Sequence, residues 1–486
     1  MLGVAVLAGV PTAIGLSAIS TTVALAWTLP GAAFVVIAGV VAEWLRHRTT
    51  RYRVGPDRVE LHSGVLIRRR RSLQRDRIRT VDVTADPLLR VFGLVSVRVG
   101  TGERADDGTV RLSPVTRDTG DELRRTLLDR VGDGTAEGTL AVLDKGWIRY
   151  APLSFVAPAL GSAAFGGVLN VADWFDLAGG VIAWAVDRLA GFGLLGGIAV
   201  LVASGLAVGV IGALGLWVEM WWNYRLDREP GGTLRVRRGL LTTRSISLEE
   251  ERLRGVDVVE PLGARLSGAA RVDAVATGMA TGTENTKTDH NTLLPAAPKA
   301  VADRVAAEVL REPVSPTEAV RLRPHPIAAR GRRVRWALAT VVVGELPLVV
   351  LGVLLTDVLL HIAWITAVVA VPVAVALAFD AYRSLGHGSV GDYLVARSGS
   401  VRRSTVALQC RGIIGWTVRQ SVFQRRAGLS TVLATTAAGA GAYAIRDVGT
   451  GTGLDAADAA VPGLLAPFLE RAPAPAPVRE PVPDLA

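Results

Sequence analysis

The stretch GVLIRRRRSLQRDRIRTVDV, residues 64–83, decides the fold of this chain because it occurs three times. It returns as GLLTTRSISLEEERLRGVDV at 239–258 and as GSVRRSTVALQCRGIIGWTV at 399–418. Matching positions keep their residue type, and they are Gly64, Gly239 and Gly399; Leu73, Leu248 and Leu408; Ile78, Leu253 and Ile413; and Val83, Val258 and Val418. Further on, Arg90, Arg265 and Arg425 align without a change of offset. A repeat of this kind predicts one structural unit built three times.

Inside a copy the hydrophobic period is two. Residues 77–83 alternate polar and apolar side chains, which is typical of a half-buried strand. Val59 and Leu61 predict a strand before it, and the turn at Phe92-Gly93 leads into another strand. Each copy then ends in a helical pattern, at 117–131, 298–311 and 455–470. We expect antiparallel strands that form a partly open barrel or bent sandwich, closed at one end by a helix.

Long apolar runs separate the copies. Half of the 486 residues are hydrophobic, and the mean hydropathy is +0.36, which is high for an average soluble protein. A spanning helix needs about 20 mostly apolar residues. Six segments qualify: 2–25, 29–46, 150–171, 191–220, 333–356 and 359–381. Their spacing predicts three helical hairpins, each followed by one copy of the β-rich unit.

Lysine and arginine flank the hairpins on the side of the long polar stretches, whereas the loops inside the hairpins carry mainly acidic charge. Basic loops stay in the cytoplasm. We therefore expect a multi-pass protein of the bacterial plasma (inner) membrane with both termini and all three β units in the cytoplasm. The predicted boundaries are 1–49, 150–221 and 333–381 for the hairpins, 50–135, 222–312 and 382–472 for the β units, and 473–486 for a disordered proline-rich tail.

These residues resemble a known family. A tyrosine after the helix, a strand ending in GVLIRR or GLLTTR, and then RIRTVDV and RVFGLVSVRV are similar to the type 2 bacterial pleckstrin-homology (PH) domain. Three such units alternating with helix pairs resemble bacterial membrane proteins of the YdbS and YdbT type. The resemblance implies an α+β membrane protein and no particular activity. The third copy departs from the pattern, because Trp416-Thr417-Val418 replaces Val-Asp-Val.

The arginines of the opening stretch have two competing interpretations. They could be the solvated face or edge of a β-hairpin, where charge discourages pairing between sheet edges. Alternatively, Arg68, Arg69, Arg70 and Arg71 contact the inner leaflet, where each basic residue contributes about 1 kcal/mol. Nucleic acid is not an expected partner, because no aromatic residues alternate with the arginines to stack on bases.

Glu345 lies within the fifth apolar segment, and an ionisable residue at such depth is a functional candidate. The competing interpretation is a protonated or hydrogen-bonded packing residue. The segment 172–190 is too charged to span a membrane, and it is either an interfacial helix or a plain loop. Gly205 and Gly209 have the spacing that lets two helices approach closely.

Chemistry-bearing motifs are scarce. Cys410 is the only cysteine and the six histidines form no ligand pair, so we expect no metal site and no cofactor. No catalytic constellation is recognisable, and we do not expect an enzyme. The first hypothesis is a set of binding or assembly modules that contact anionic lipid headgroups or protein partners, including other copies of the chain. The alternative is a transporter or an export or resistance factor that uses the helix bundle and Glu345.

Overall fold

A computed structural model describes residues 51–55, 58–63, 69–74, 80–85, 89–90, 92–100, 109–128, 138–154, 156–174, 177–229, 231–278 and 291–468, with single positions in 30–41. The chain forms two compact units. The first comprises 1–320 with 397–408 and 437–441, and the second comprises 321–396, 409–436 and 442–486. The predicted segment 2–25, most of 29–46 and the tail 473–486 lie outside the described residues.

The first copy contributes two three-stranded antiparallel blocks. Strands β1 (Arg51–Val54), β2 (Arg58–Ser63) and β3 (Arg69–Gln74) form one sheet. Strands β4 (Thr80–Ala85), β5 (Leu94–Gly100) and β6 (Thr109–Thr116) form the other block, and helix α1 (Arg117–Leu128) follows. Alternating valines of the strands meet leucines of α1 in one core, formed by Val59, Val81, Val95, Val97, Val99, Leu112, Leu123 and Leu127. The predicted period of two and the closing helix are therefore present.

Three helices follow the first copy. They are α2 (Val156–Trp174), α3 (Ala178–Ala190) and α4 (Gly193–Trp221), and a 3-10 helix at Lys145–Leu153 precedes them. Glycines let α2 and α4 touch: a Cβ added to Gly209 would lie 2.0 Å from the Ala157 carbonyl oxygen. Only hydrogen fits there, which confirms the predicted close approach. Helix α3 occupies most of segment 172–190, so a plain loop is excluded for those residues.

The second copy shares a sheet with the first copy. Its first block contains β8 (Arg225–Glu229), β9 (Thr233–Arg238) and β10 (Thr243–Glu249), with β7 (Thr139–Val142) at the outer edge. Strand β10 pairs with β4, so that both copies share one seven-stranded sheet of order β6-β5-β4-β10-β9-β8-β7. The sequence analysis did not foresee this pairing, in which the edge strand of one copy continues the sheet of the copy before it.

The same arrangement recurs at the end of the second copy. Strands β11 (Leu253–Pro261), β12 (Ala269–Ala276) and β13 (Thr292–Pro298) form its second block, with helices α5 (Leu262–Leu266) and α6 (Lys299–Leu310). Strand β16 (Arg402–Gln409), from the third copy, pairs antiparallel with β11. We call the β4–β10 contact the first junction and the β11–β16 contact the second junction.

The second unit contains a helical hairpin. After the short helix α7 (Pro316–Ala319), helix α8 (Ile327–Leu355) is joined to α9 (Asp357–Arg383) by Thr356 alone. The hydroxyl of Thr356 accepts a hydrogen bond from the amide of Val358 and so caps α9. Hairpin packing is tight, because a Cβ added to Gly352 would lie 2.7 Å from the side chain of Leu360.

The second unit also holds strands β14 (Gly386–Val390) and β15 (Tyr393–Ser398) and the sheet of β17 (Ile413–Arg419), β18 (Leu429–Thr436) and β19 (Ala442–Gly449), with helices α10 (Val422–Arg426) and α11 (Thr450–Ala460). Helix α11 begins before the predicted 455–470. Buried Asp447 of β19 accepts hydrogen bonds from Arg332 of α8 at 2.6 Å and from Gln424 of α10 at 2.9 Å, and Arg333 lies 2.7 Å away. The base of the hairpin is thus bonded to this sheet.

Within the described part of the chain, three helices are long and apolar enough to cross a membrane, namely Gly196–Trp221, Ile327–Leu355 and Asp357–Arg383. A fourth span results if the 3-10 helix and the helix that follows it count as one segment, bent by 65°. These helices correspond to the predicted segments 191–220, 333–356, 359–381 and 150–171. The expected count of six remains a prediction, because the first pair lies mostly outside the described residues.

Candidate anion-binding site at the first junction

The turn between β9 and β10 is fixed to the end of helix α4. The carboxylate of Glu219 accepts hydrogen bonds from the amides of Leu241 and Thr242, both at 2.9 Å. The amide of Gly239 donates to the Trp222 carbonyl at 2.8 Å. Gly239 has a φ of +112°, and a Cβ there would lie 2.0 Å from the Thr242 carbonyl oxygen. Glycine is therefore required for this turn.

The first copy reaches the same turn. The guanidinium of Arg90 donates to the carbonyl of Leu240, and β4 runs antiparallel along β10 from Ala85 opposite Thr243 to Thr80 opposite Leu248. Three elements that are distant in the sequence therefore meet: the end of an apolar helix, the β9–β10 turn and the second block of the first copy.

A cavity of about 890 Å³ opens where these elements meet, and we call it the junction cavity. This volume is in the range of small-ligand sites. Its lining includes seven arginines and two carboxylates: Arg90, Arg117, Arg225, Arg235, Arg237, Arg238 and Arg244, with Asp121 and Glu229. Asn223 and Gly239, next to the end of α4, also line it.

Both lining carboxylates are already engaged by one side chain. Buried Arg235 lies 3.2 Å from Asp121 and 3.0 Å from Glu229. By contrast, Arg117 and Arg237 are exposed, and neither has an ion pair among the residues that the structure describes. The cavity therefore carries an excess of positive charge, which attracts anions and repels cations.

Aromatic rings mark the helix end beside this cavity. The guanidinium of Arg238 stacks on the indole of Trp221, 4.3 Å from the ring centroid. Trp217 lies in the last turns of helix α4 and Trp222 directly follows the helix. Trp222 is partly exposed. Tryptophans are favoured where a membrane meets water, so their position agrees with a helix end at the level of the headgroups.

A half-buried carboxylate lies in the same sheet. Burial raises the pKa of Asp82 on β4 to about 6, and the nearby charges of Arg98 and Arg244 oppose that rise. The equivalent Asp257 on β11 also has its pKa raised to about 6, mainly by burial and by the neighbouring Asp273. The two junctions thus hold a half-buried aspartate at the same place.

A family model described as the bacterial PH domain matches the chain three times, over residues 4–131, 177–313 and 341–461. The chain belongs to the bacterial PH domain family. The three matches confirm the predicted resemblance and the three copies, while the narrower similarity to YdbS- and YdbT-type proteins stays a prediction. Neither a curated protein nor a solved structure shows significant similarity to this chain. The junction cavity lies between the first two PH domains.

The arginine cluster predicted from the sequence lies on an edge strand. Arg69, Arg70 and Arg71 belong to β3, which pairs with β2, and Arg68 lies outside the described residues. The side chain of Arg70 is exposed and lies 3.2 Å from the carboxylate of Glu60. Their placement on an edge strand agrees with the edge alternative, and the predicted membrane contact stays untested.

Glu345 lies in helix α8 and has a partner in the hairpin. The hydroxyl of Thr366 on α9 donates to its carboxylate at 3.0 Å. This partner was not predicted, because the contact depends on how α8 and α9 pack against each other. Such a bond fits the packing interpretation of Glu345.

The arginines of the junction cavity were not predicted as a site. They are spread from Arg90 to Arg244 and meet only because β10 pairs with β4. One signal was present in the sequence: Arg90 aligns with Arg265, and both donate to the turn of the following copy, at Leu240 and Ser400. No group of three or more metal-binding side chains occurs in the described ranges.

Proposed function

We propose that this bacterial PH domain protein is a multi-pass membrane protein that binds the headgroup of an anionic phospholipid in the junction cavity. The observation that carries this proposal is the position of an arginine-lined cavity at the end of apolar helix α4. Asn223, which lines the cavity, is two residues beyond the last residue of that helix. A headgroup at the membrane surface is therefore within reach of the cavity.

The chemistry of the lining suits a phosphate group. Guanidinium groups donate paired hydrogen bonds to phosphate oxygens, and each basic residue near an anionic membrane surface contributes about 1 kcal/mol. Arg117 and Arg237 are the candidate ligands. The other five lining arginines and both lining carboxylates already have partners within the described sheet and helices. This chemistry selects negative charge rather than one particular headgroup.

The proposal requires the PH domains to lie at the membrane surface, as the predicted topology has them. We infer six spanning helices in three hairpins, with the PH domains on the cytoplasmic side of the bacterial plasma membrane. Three long apolar helices and the bent pair support this inference, as do the basic residues beside the hairpins. We also infer a binding role rather than catalysis, since the described residues that line the cavity offer cationic ligands and no recognisable pair of nucleophile and base.

The test uses the full chain in detergent and a short-chain, water-soluble phosphatidylglycerol, with phosphatidylcholine of the same chain length as the neutral ligand. Titration calorimetry should show preferential binding of phosphatidylglycerol. Changing both Arg117→Gln and Arg237→Gln should weaken it roughly tenfold or more, since two arginines contribute about 2 kcal/mol.

The matched control is Arg304→Gln, which removes one exposed arginine of α6 that does not line the cavity. It should leave the affinity unchanged. Equal binding of both lipids, or equal affinity of the double variant and the wild type, would overturn the proposal. Binding of free inorganic phosphate with the same affinity would show that the cavity takes a soluble anion rather than a lipid.

Transport by the helix bundle is the second candidate function, and it rests on the presence of an ionisable residue, Glu345, in apolar helix α8. A carboxylate that carries protons or ions must change its protonation or its partner. In that case Glu345→Gln would abolish substrate or proton flux in proteoliposomes, whereas Thr366→Val would alter it more mildly. A packing role predicts that both variants change only stability, by less than about 2 kcal/mol.

A further inference from the structure

The two junctions have the same register. At the first junction Ile246 lies opposite Asp82 and Leu248 opposite Thr80. At the second junction Val406 lies opposite Asp257 and Leu408 opposite Gly255. These are equivalent positions of successive copies. The edge strand of a PH domain in this chain therefore accepts an antiparallel strand in one fixed register, and it does so twice.

The first PH domain has the same edge, and in the described part of the chain no second strand covers it. Strand β3 is the equivalent of β10 and β16, and among the described residues it pairs only with β2. Ser72 and Gln74 on it are exposed. An unpaired edge presents a row of backbone donors and acceptors to which an extended segment can add.

The sequence of this edge specifies the charge of its occupant. Where β10 has Ser245 and Ile246, and β16 has Thr405 and Val406, β3 has Arg70 and Arg71. The strands accepted at both junctions carry an aspartate opposite that second position, which is Asp82 at one and Asp257 at the other. At β3 such an aspartate would occupy the position opposite an arginine instead of an aliphatic residue. Opposite charges across a strand pair stabilise it.

We infer that the open edge of β3 receives an extended acidic strand of a separate protein, added antiparallel with a carboxylate opposite Arg71. The occupant is thus a strand of the kind that β4 and β11 already represent. Both of those strands are paired within the chain, so the occupant comes from another polypeptide.

A second copy of this chain does not fit the same edge. Its remaining strand of this kind is β17, which would place Thr417 opposite Arg71 and Arg419 opposite Arg69. Two arginines opposite one another repel, and the aspartate is missing. The arginines therefore discourage head-to-tail assembly of identical chains while favouring an acidic partner.

The test uses the full chain in nanodiscs of neutral lipid and a fluorescent peptide that copies β11, LRGVDVVEP, as the probe. Fluorescence anisotropy should show saturable binding that weakens with salt. The same peptide with Asp257→Asn should bind about tenfold more weakly, because one charge pair is lost. A peptide that copies β17, IIGWTVR, is the basic control and should not bind.

Variants of the chain locate the binding edge. Combined Arg69→Gln, Arg70→Gln and Arg71→Gln should lower the affinity for the acidic peptide by tenfold or more, to about the level of the asparagine peptide. The matched control is Arg402→Gln with Arg403→Gln, which alters β16, whose edge is already occupied by β11. Equal affinity of the triple variant and the wild type would refute the proposal, as would no binding at millimolar peptide.

Disulfide trapping tests the register. In a Cys410→Ser background, Ser72→Cys should cross-link to a peptide with Val256→Cys, which lies opposite in the inferred register, and about tenfold more slowly to one with Val258→Cys. Equal rates would rule out a fixed register. If the triple arginine variant keeps the peptide but loses retention on anionic vesicles, the cluster faces the membrane and the proposal fails.

Discussion

At the first junction Arg98 stands opposite Asp82, whereas at the second junction Asp273 stands opposite Asp257. The backbone pairing is the same and the charge is reversed. Asp273 lies 2.9 Å from Arg271 and 3.7 Å from Arg402, and Glu260 lies 4.0 Å from Arg403. The second junction therefore balances its own charges, while the first leaves arginines facing an open cavity.

The helices that follow repeat this contrast. Arg117 begins α1 and Lys299 begins α6, and each has an aspartate four residues later. Lys299 donates to Asp303, but Asp121 binds Arg235, which leaves Arg117 without that partner. The comparison shows that both junctions share one backbone arrangement, and that a few side chains decide whether the arginines there have acidic partners.

The largest expected effect comes from breaking the buried ion network of the first junction. Arg235→Ala leaves Asp121 and Glu229 without their shared partner and should lower the free energy of unfolding by about 3 kcal/mol. Arg271→Ala at the second junction is the control and should cost less, because Asp273 retains Arg402. Denaturation of the detergent-solubilised chain measures both, and equal losses would contradict the contrast.

Backbone changes should affect the two junctions alike. Gly239 and Gly399 have φ values of +112° and +105°, and a Cβ at either would lie 2.0 Å from a carbonyl oxygen of the turn. Gly239→Ala and Gly399→Ala should each destabilise the chain by about 2 kcal/mol. Thermal unfolding of the two variants checks this, and a clear difference between them would show that the turns are not equivalent.

The half-buried aspartates predict a pH dependence shared by both junctions. The pKa of Asp82 and of Asp257 rises from 3.8 in the unfolded chain to about 6, so the folded state binds more protons between those values. Stability should therefore fall as pH rises from about 4 to 6, by roughly 1 to 2 kcal/mol for each aspartate, and stay low above that range. Asp82→Asn and Asp257→Asn should each flatten the curve in denaturation series at several pH values; an unchanged curve would refute the raised pKa.

The smallest effect concerns the bridging arginines. Arg90→Gln and Arg265→Gln each remove one hydrogen bond to the turn of the following copy, at Leu240 and Ser400. Because both side chains are accessible to water, the loss should be about 1 kcal/mol or less. Limited proteolysis at the two turns compares them, with Arg425→Gln in the third copy as the control. If Arg425→Gln lowered protease resistance more than the other two variants, the stabilising effect of these arginines would not depend on the junctions.

Much of this architecture follows from the sequence alone. Periodicity and repetition in the sequence predict the three copies, the glycine turns and the apolar helices, because these features depend on local patterns. The pairing of strands between copies is not a local property. Alternation at Val81 and Val83 shows that β4 has a buried face, but it does not show which strand pairs with its edge. The cavity depends on that pairing. Its arginines are far apart in the sequence, so the sequence alone did not predict that they line one site.

The bond between Asp447 and the arginines of α8 has a mechanical consequence. A change in bilayer thickness is accommodated by tilting of the spanning helices. Arg332 and Arg333 fix the base of the α8–α9 hairpin to β19, and Thr356 leaves almost no slack at its other end. A tilt of the α8–α9 hairpin would therefore be passed to β19 and to the sheet that contains it.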